Sequence, residues 1–371
     1  MSRMTRAGVL WGAKEQWQIA ELELDEPKAN EVLVRFEVAG LCHSDDHFRA
    51  GDIPSRFPLV GGHEGAGVVE QVGPGVTRVQ VGDHIVCSFL PVCGTCRWCS
   101  TGHQGLCDLG LNAGTGLLPD GTYRFHGDGH DIGGVCVLGT FSERAVLSEY
   151  SCVKIDADLP FDVAALLGCG VPTGWGASVY GAGVEAGQVV VIYGSGGVGA
   201  NAVQGAAQAG ARIVAVVDPI GFKREKAMEL GATHAFASHD EAFAFVRDTT
   251  RGQLADHAII TVGVNSVETV NQAASVIGKL GSVVIVATGN VSENQLVMPA
   301  QTLKGYQQAI KGVMFGNCNP LYDIPRLISQ YREGSLRLDE LITRRYRLDQ
   351  LNEGFDDLLA GRNIRGIIEY S

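Results

Sequence analysis

QVVVIYGSGGVGANAVQGAAQAG (188–210) joins an apolar run to a glycine turn and then to an alanine-rich run of helical spacing. Gly194, Gly196 and Gly199 form G-x-G-x-x-G, with Gly197 and Val198 inside it. A strand before and a helix after are the context in which this pattern binds a dinucleotide. Gly194 permits the tight turn, Gly196 lets the backbone approach a pyrophosphate, and Gly199 lets helix and strand pack closely. The free amides and positive dipole end of the helix then face the phosphates. Asp218 lies 19 residues beyond Gly199, at the end of a second apolar run, ARIVAVVD (211–218). A carboxylate there accepts from the adenosine ribose hydroxyls and repels a 2′-phosphate, which favours NAD over NADP. Lys223 reads equally well as a second ribose contact or as a solvated helix lysine.

Outward from this unit the rhythm continues. KREKAMELG (223–231) has helical spacing stopped by glycine, and HAIITVG (257–263) and SVVIVATG (282–289) are further apolar runs. Strands alternating with helices imply a parallel sheet covered on both faces. The first third is different. EVLVRFEVAG (31–40), EGAGVVEQVG (64–73) and VGDHIVCSF (81–89) alternate between glycine turns, as the strands of a small twisted barrel do. NPLYDIPRLISQYREG (319–334) reads as an amphipathic helix and NIRGIIEY (363–370) as a terminal strand, so the tail is expected to return to the first domain.

With 371 residues, 45% of them hydrophobic, the chain can build two cores. A net charge of −12 disfavours nucleic acid and anionic membrane surfaces as partners. No apolar run reaches the roughly 20 residues of a membrane span, and MSRMTRAGVLWGAKEQW lacks the apolar centre of a secretion signal. The ten cysteines therefore read as reduced, cytoplasmic thiols and metal ligands.

Four of them, Cys93, Cys96, Cys99 and Cys107, are spaced C-x2-C-x2-C-x7-C. Such a set closes a tetrahedron around one zinc and leaves no open position, which makes the site structural. A cluster of buried thiols and a nucleic-acid-reading zinc ribbon are the alternatives; the acidic chain disfavours the second. Cys42, His63 and Cys169 stand apart in glycine-rich settings. Each alone is more often structural. Together they supply two thiolates and an imidazole and leave zinc's fourth position for water or alcohol. Glu64, beside His63, can tune that metal or lend it a ligand.

G-H-E (62–64), the four-cysteine lobe, G-C-G-V-x-T-G (168–174), the Gly194 turn and I-R (364–365) together resemble the zinc-dependent medium-chain alcohol dehydrogenase family, along nearly the whole chain. The resemblance implies an α/β protein: a Rossmann doubly wound parallel sheet at 175–315, and a discontinuous, β-rich GroES-like catalytic domain at 1–174 and 316–371, with the zinc lobe near 90–110. It implies two zincs per chain and NAD, and an alcohol converted reversibly to aldehyde or ketone. Cys42, His63 and Cys169 would hold the catalytic zinc. Ser44 would take the alcohol's proton and His47 would pass it towards solvent. Thr173 and Val198 would line the nicotinamide, Arg365 would meet the pyrophosphate, and Phe89 would wall the substrate pocket. Many relatives carry arginine after the first zinc ligand; His43 stands there, which would loosen the pyrophosphate and make cofactor affinity depend on pH. The long linker 117–143 is similar to that of the thiol-adduct formaldehyde dehydrogenases and, in its wording, of the actinobacterial nicotinoprotein dehydrogenases, which keep NAD bound and are assayed with nitrosoaniline dyes. A zinc-free reductase and a non-catalytic binding protein of the same fold are the other readings. A homodimer or homotetramer is expected, with VMFGN (313–317) extending a sheet across the interface. Cys87, Cys136, Cys152 and Cys318 read as small buried hydrophobes. His84, His103, His126, His130, His234, His239 and His257 read as surface or turn residues.

Overall fold

The 188–210 stretch folds as strand, turn and helix in the computed structural model, which describes residues 3–291 and 300–370. Val189–Tyr193 is a strand with every residue buried, and Gly197–Gln208 is the helix after it. The sheet runs in the order His234–Phe236, Ile213–Val217, Val189–Tyr193, Ala255–Ile260, Ile277–Ile285, Ala309–Gly312, with every pair parallel. Its order reverses beside Val189–Tyr193, so the carboxyl end of that strand is the switch point where α/β sheets bind ligands. The central strands Val189–Tyr193 and Ile213–Val217 are buried at every residue because helices cover the sheet, among them Gly197–Gln208, His239–Thr249 and Val267–Val276. Each valine or isoleucine in this core is worth about 1.5–3 kcal/mol of burial.

Two expectations in this region are corrected. His257 is not a surface residue: it is 8% exposed, with Nδ1 2.8 Å from Ser282 Oγ and Nε2 3.0 Å from Gln188 Oε1. Strand pairing brings both partners alongside and satisfies a polar ring inside the sheet. VMFGN (313–317) is not a strand. Phe315, Gly316 and Asn317 have φ of 53°, 65° and 57° and turn the chain out of the sheet, whose edge strand is Ala309–Gly312.

The chain forms two compact units, Gly170–Cys318 with Tyr331–Arg337, and Met1–Cys169 with Asn319–Gln330 and Leu338–Ser371. Helix Gly170–Gly176 belongs to the first of these because it packs on Gly197–Gln208; a Cβ on Gly174 would stand 2.0 Å from the Val198 carbonyl. The second unit holds a closed barrel of Arg3–Leu10, Gln18–Leu24, Phe125–Gly127, His130–Gly134 and Leu59–Val60. Beside it lies a sheet centred on Glu31–Gly40, which pairs with Gly65–Val72, Arg144–Ser148 and the returning strand Arg365–Glu369. The supposed linker 117–143 therefore contains a barrel hairpin. Asp128 and Gly129, at φ 50° and 75°, form its two-residue turn, as Asp-Gly pairs do. Among the described residues no helix is long and apolar enough to cross a membrane.

Candidate active site and metal centres

Strand Glu31–Gly40 delivers the chain to Cys42, which caps helix His43–Ala50 in an extended conformation. The helical period then spaces the functional side chains. Ser44 and His47 are three residues apart and share a face. Asp45 is fully buried; its Oδ1 accepts from the Gly62 amide at 2.9 Å, and its Oδ2 lies 3.1 Å from His63 Nδ1, close but not aligned as a hydrogen bond. That leaves His63 Nε2 as the ring atom that could hold a metal. It is buried and no protein group hydrogen-bonds it, a condition that calls for a partner of another kind. Donor atoms of Cys42, His63, Glu64 and Cys169 all lie within 4.8 Å of one another, and all four residues are buried. Two sulfurs, one imidazole and one carboxylate form a donor set that fits zinc.

Burial and close contact couple the protonation of these groups to one another. The hydrogen bond from Cys169 holds the Cys42 thiol well below its ordinary value against burial, with His63 helping. Cys169, the donor of that pair, is pushed well up by Cys42 and by burial. Burial works against charge on His63, but Asp45, Cys42 and Cys169 together drive its pKa well up. Burial lifts Glu64 to about 7, against the pull of Arg365.

Around this cluster, Ser44 Oγ stands 3.7 Å from Cys42 Sγ. The Phe89 ring meets the His63 ring edge-on, 5.7 Å between centroids. His43 opens the helix with its ring 5.9 Å from that of His47. The buried guanidinium of Arg365 pairs with Glu64. His47 is buried; its Nδ1 is 2.8 Å from Asp52 Oδ2, and the Asp52 side chain is 20% exposed. Asp45 and Asp52 escaped the sequence reading. The run HSDDH did hold a signal: an acid three residues after Cys42 is brought by the helical turn beside His63, whereas its neighbour Asp46 pairs with Arg49.

The four-cysteine lobe assembles as spaced. Ligand atoms of Cys93, Cys96, Cys99 and Cys107 lie within 4.8 Å of one another. Backbone amides point at the sulfurs: Cys96 N at 3.3 Å and Thr95 N at 3.4 Å from Cys93 Sγ, and Cys99 N at 3.5 Å from Cys96 Sγ. Burial opposes it, but the amides of Cys96 and Thr95 bring Cys93 to about 6, so a thiolate is ready near neutral pH.

In the other unit the glycine turn is shaped for a ligand. Gly194 has φ 87°, and a Cβ on Gly199 would stand 2.0 Å from the Gly194 carbonyl. A Cβ on Gly196 would meet only the Lys223 ammonium, at 4.0 Å, so that face is open to a phosphate. Gly197 and Val198 start the helix. Asp218 is held at the strand end by the Ser195 amide (2.8 Å) and the Ile220 amide (2.9 Å). Thr173 is buried and its hydroxyl has no protein hydrogen-bond partner.

Comparison with known proteins gives the same picture. The alcohol dehydrogenase GroES-like domain profile matches residues 28–157 and the zinc-binding dehydrogenase profile matches 197–332. The NDMA-dependent alcohol dehydrogenase of Amycolatopsis methanolica is 54% identical over 99% of both chains. Among solved structures, an alcohol dehydrogenase zinc-binding domain protein from Burkholderia ambifaria superposes with a TM-score of 0.92 at 30% identity, and benzyl alcohol dehydrogenase from Acinetobacter calcoaceticus with 0.91 at 29%, each covering 100% of both chains. Built on this fold and carrying both cysteine sets, the chain belongs to the zinc-dependent medium-chain alcohol dehydrogenase family.

Proposed function

We propose that this alcohol dehydrogenase uses NAD, that Cys42, His63 and Cys169 hold its catalytic zinc, and that Cys93, Cys96, Cys99 and Cys107 hold a structural one. The observation that carries the reading is the buried His63 Nε2, without a protein partner, among the donor atoms of Cys42, Glu64 and Cys169. When bound, zinc supplies the Lewis acidity that brings an alcohol hydroxyl's pKa towards neutrality, and nicotinamide supplies the hydride acceptor.

The protein's own groups do the rest. Ser44 receives the hydroxyl proton at Oγ and hands it to His47 on the same helix face; Asp52 orients the His47 ring and opens the route to solvent. Phe89 shields the His63 side from water. Asp45 and the Glu64–Arg365 pair hold the cluster in place and balance its charge. For the cofactor, the Gly194–Gly199 turn and Gly197 offer amides to the pyrophosphate with His43 and Arg365 as further donors, Asp218 and Lys223 read the ribose, and Thr173 and Val198 flank the nicotinamide. The Amycolatopsis relative's NDMA dependence supports placing the chain in the nicotinoprotein branch, with NAD retained between turnovers and a nitrosoaniline as the reoxidising probe.

Native mass spectrometry with metal analysis tests this. The expected result is two zincs and one NAD per subunit in a dimer or tetramer. The Cys42→Ser and Cys169→Ser variants should lose alcohol turnover while keeping NAD. Full turnover in either would remove these residues from the metal site.

A further inference from the structure

We infer that Thr140 is a positioning residue for the catalytic metal, clamping the 61–64 turn so that His63 and Glu64 face the cluster in one fixed arrangement. The inference rests on the reading that His63 is a zinc ligand.

Thr140 is fully buried. Its amide donates to the Gly62 carbonyl at 3.0 Å, and the Phe141 amide donates to the Gly61 carbonyl at 2.8 Å. Its hydroxyl donates to the Glu64 carbonyl at 2.9 Å. The three bonds bracket His63 from both sides in sequence. On the opposite side the Gly62 amide is held by Asp45, so the turn is gripped between the helix and the 140–141 segment. The grip is tight enough to dictate sequence. Gly62 sits at φ 86°, and a Cβ there would come within 2.4 Å of Thr140 Oγ1; one on Gly65 would come within 2.8 Å of Thr140 Cγ2. G-H-E-G therefore needs its glycines, Gly62 for its positive φ and both because Thr140, with Phe141 beside Gly62 and Phe36 beside Gly65, occupies the space around them.

Thr140 is itself anchored. Its carbonyl accepts from the Tyr370 hydroxyl at 2.5 Å. Tyr370 directly follows strand Arg365–Glu369, whose first residue pairs with Glu64. One C-terminal segment thus supports the metal turn at two points. The Glu64 carbonyl also accepts from the Gly40 amide at 3.1 Å. Removing the threonine hydroxyl accordingly leaves no buried carbonyl unpaired, and the loss falls on positioning rather than on folding.

The test is zinc release to a chromogenic chelator from wild type, Thr140→Val and Thr140→Ser, with Cys96→Ser identifying the lobe's phase, and with the thermal midpoint of the zinc-stripped proteins measured alongside. Thr140→Val should release the catalytic zinc about tenfold faster, as loss of outer support for a ligand does. Thr140→Ser should release near the wild-type rate, and the lobe's phase should be unchanged in both. Should Thr140→Val fail to fold, Tyr370→Phe should accelerate the same phase several-fold. Two zincs in wild type with unaltered release from the folded variant would overturn the inference alone, as would a lowered midpoint with unaltered release. A wild-type protein carrying only the lobe zinc would overturn the metal assignment, and the inference with it.

Discussion

Asp45 Oδ2 lies 3.1 Å from His63 Nδ1, with both side chains out of solvent. A carboxylate behind a ligating imidazole fixes its orientation and raises its basicity. Asp45→Asn should keep the shape of this contact and weaken zinc retention by about 10–100-fold. Zinc content after dialysis against a graded chelator series measures it, and retention equal to wild type would remove Asp45 from the metal's support.

The proton route gives a separate expectation. Asp52→Asn takes the charge away from His47 without touching the metal ligands. Turnover should fall by about 10–100-fold, within the range that one proton-transfer group contributes, while KM for alcohol stays near its value. The solvent isotope effect on kcat should rise. A variant with unchanged kcat would show that protons leave by another path.

The lobe should behave as a structural element. Cys96→Ser removes one of four ligands and the contact from the Cys99 amide to its sulfur. One zinc per chain should be lost, with a lower thermal midpoint, while the remaining folded protein still binds its second zinc. Full metal content at wild-type stability would contradict this.

Cofactor choice should turn on Asp218. Replacing it with glycine removes the carboxylate that would repel a 2′-phosphate and frees the Ser195 and Ile220 amides to meet one. The ratio of NADP to NAD affinity should rise by at least about tenfold, the worth of one hydrogen-bonded charge contact of 1.4 kcal/mol or more. Binding of both dinucleotides to the stripped protein, followed by calorimetry, reads this directly.

Acid should loosen the C-terminal packing at a definite place. The Tyr346 hydroxyl donates to Asp357 at 2.6 Å and Arg362 pairs with it at 2.5 Å. The Tyr346 hydrogen bond, with Arg362 and Arg344, holds the Asp357 carboxyl below the usual carboxylate range. The folded value lies below the unfolded one, so the stabilisation is complete above the ordinary pKa of about 4 and fades as pH falls through the depressed value. Denaturant midpoints at pH 7 and pH 3 should differ less in Asp357→Asn than in wild type. An equal acid loss in both would place the effect elsewhere.

The chain's own pattern determined the four inner strands of the parallel sheet, since continuous apolar runs between helical stretches have no stable home except buried on both faces; the short outer strands His234–Phe236 and Ala309–Gly312, less buried, carried no such run. It likewise determined the four-cysteine lobe, because ligands within fifteen residues meet whatever surrounds them. The glycine turn was equally local. Cys42, His63 and Cys169 could be nominated from residue type, but only the tertiary structure decided that their donor atoms converge within 4.8 Å. The same holds for every supporting contact from afar: Arg365 on Glu64, Thr140 on the 61–64 turn, and Gln188 and Ser282 on His257. Such partners carry no spacing rule, because strand pairing across the sheet, not position along the chain, sets the distance between them. The hairpin at 128–129 lay between these cases: the segment read as a linker although Asp-Gly is a turn pair, because its place in the barrel depended on the neighbours that close it.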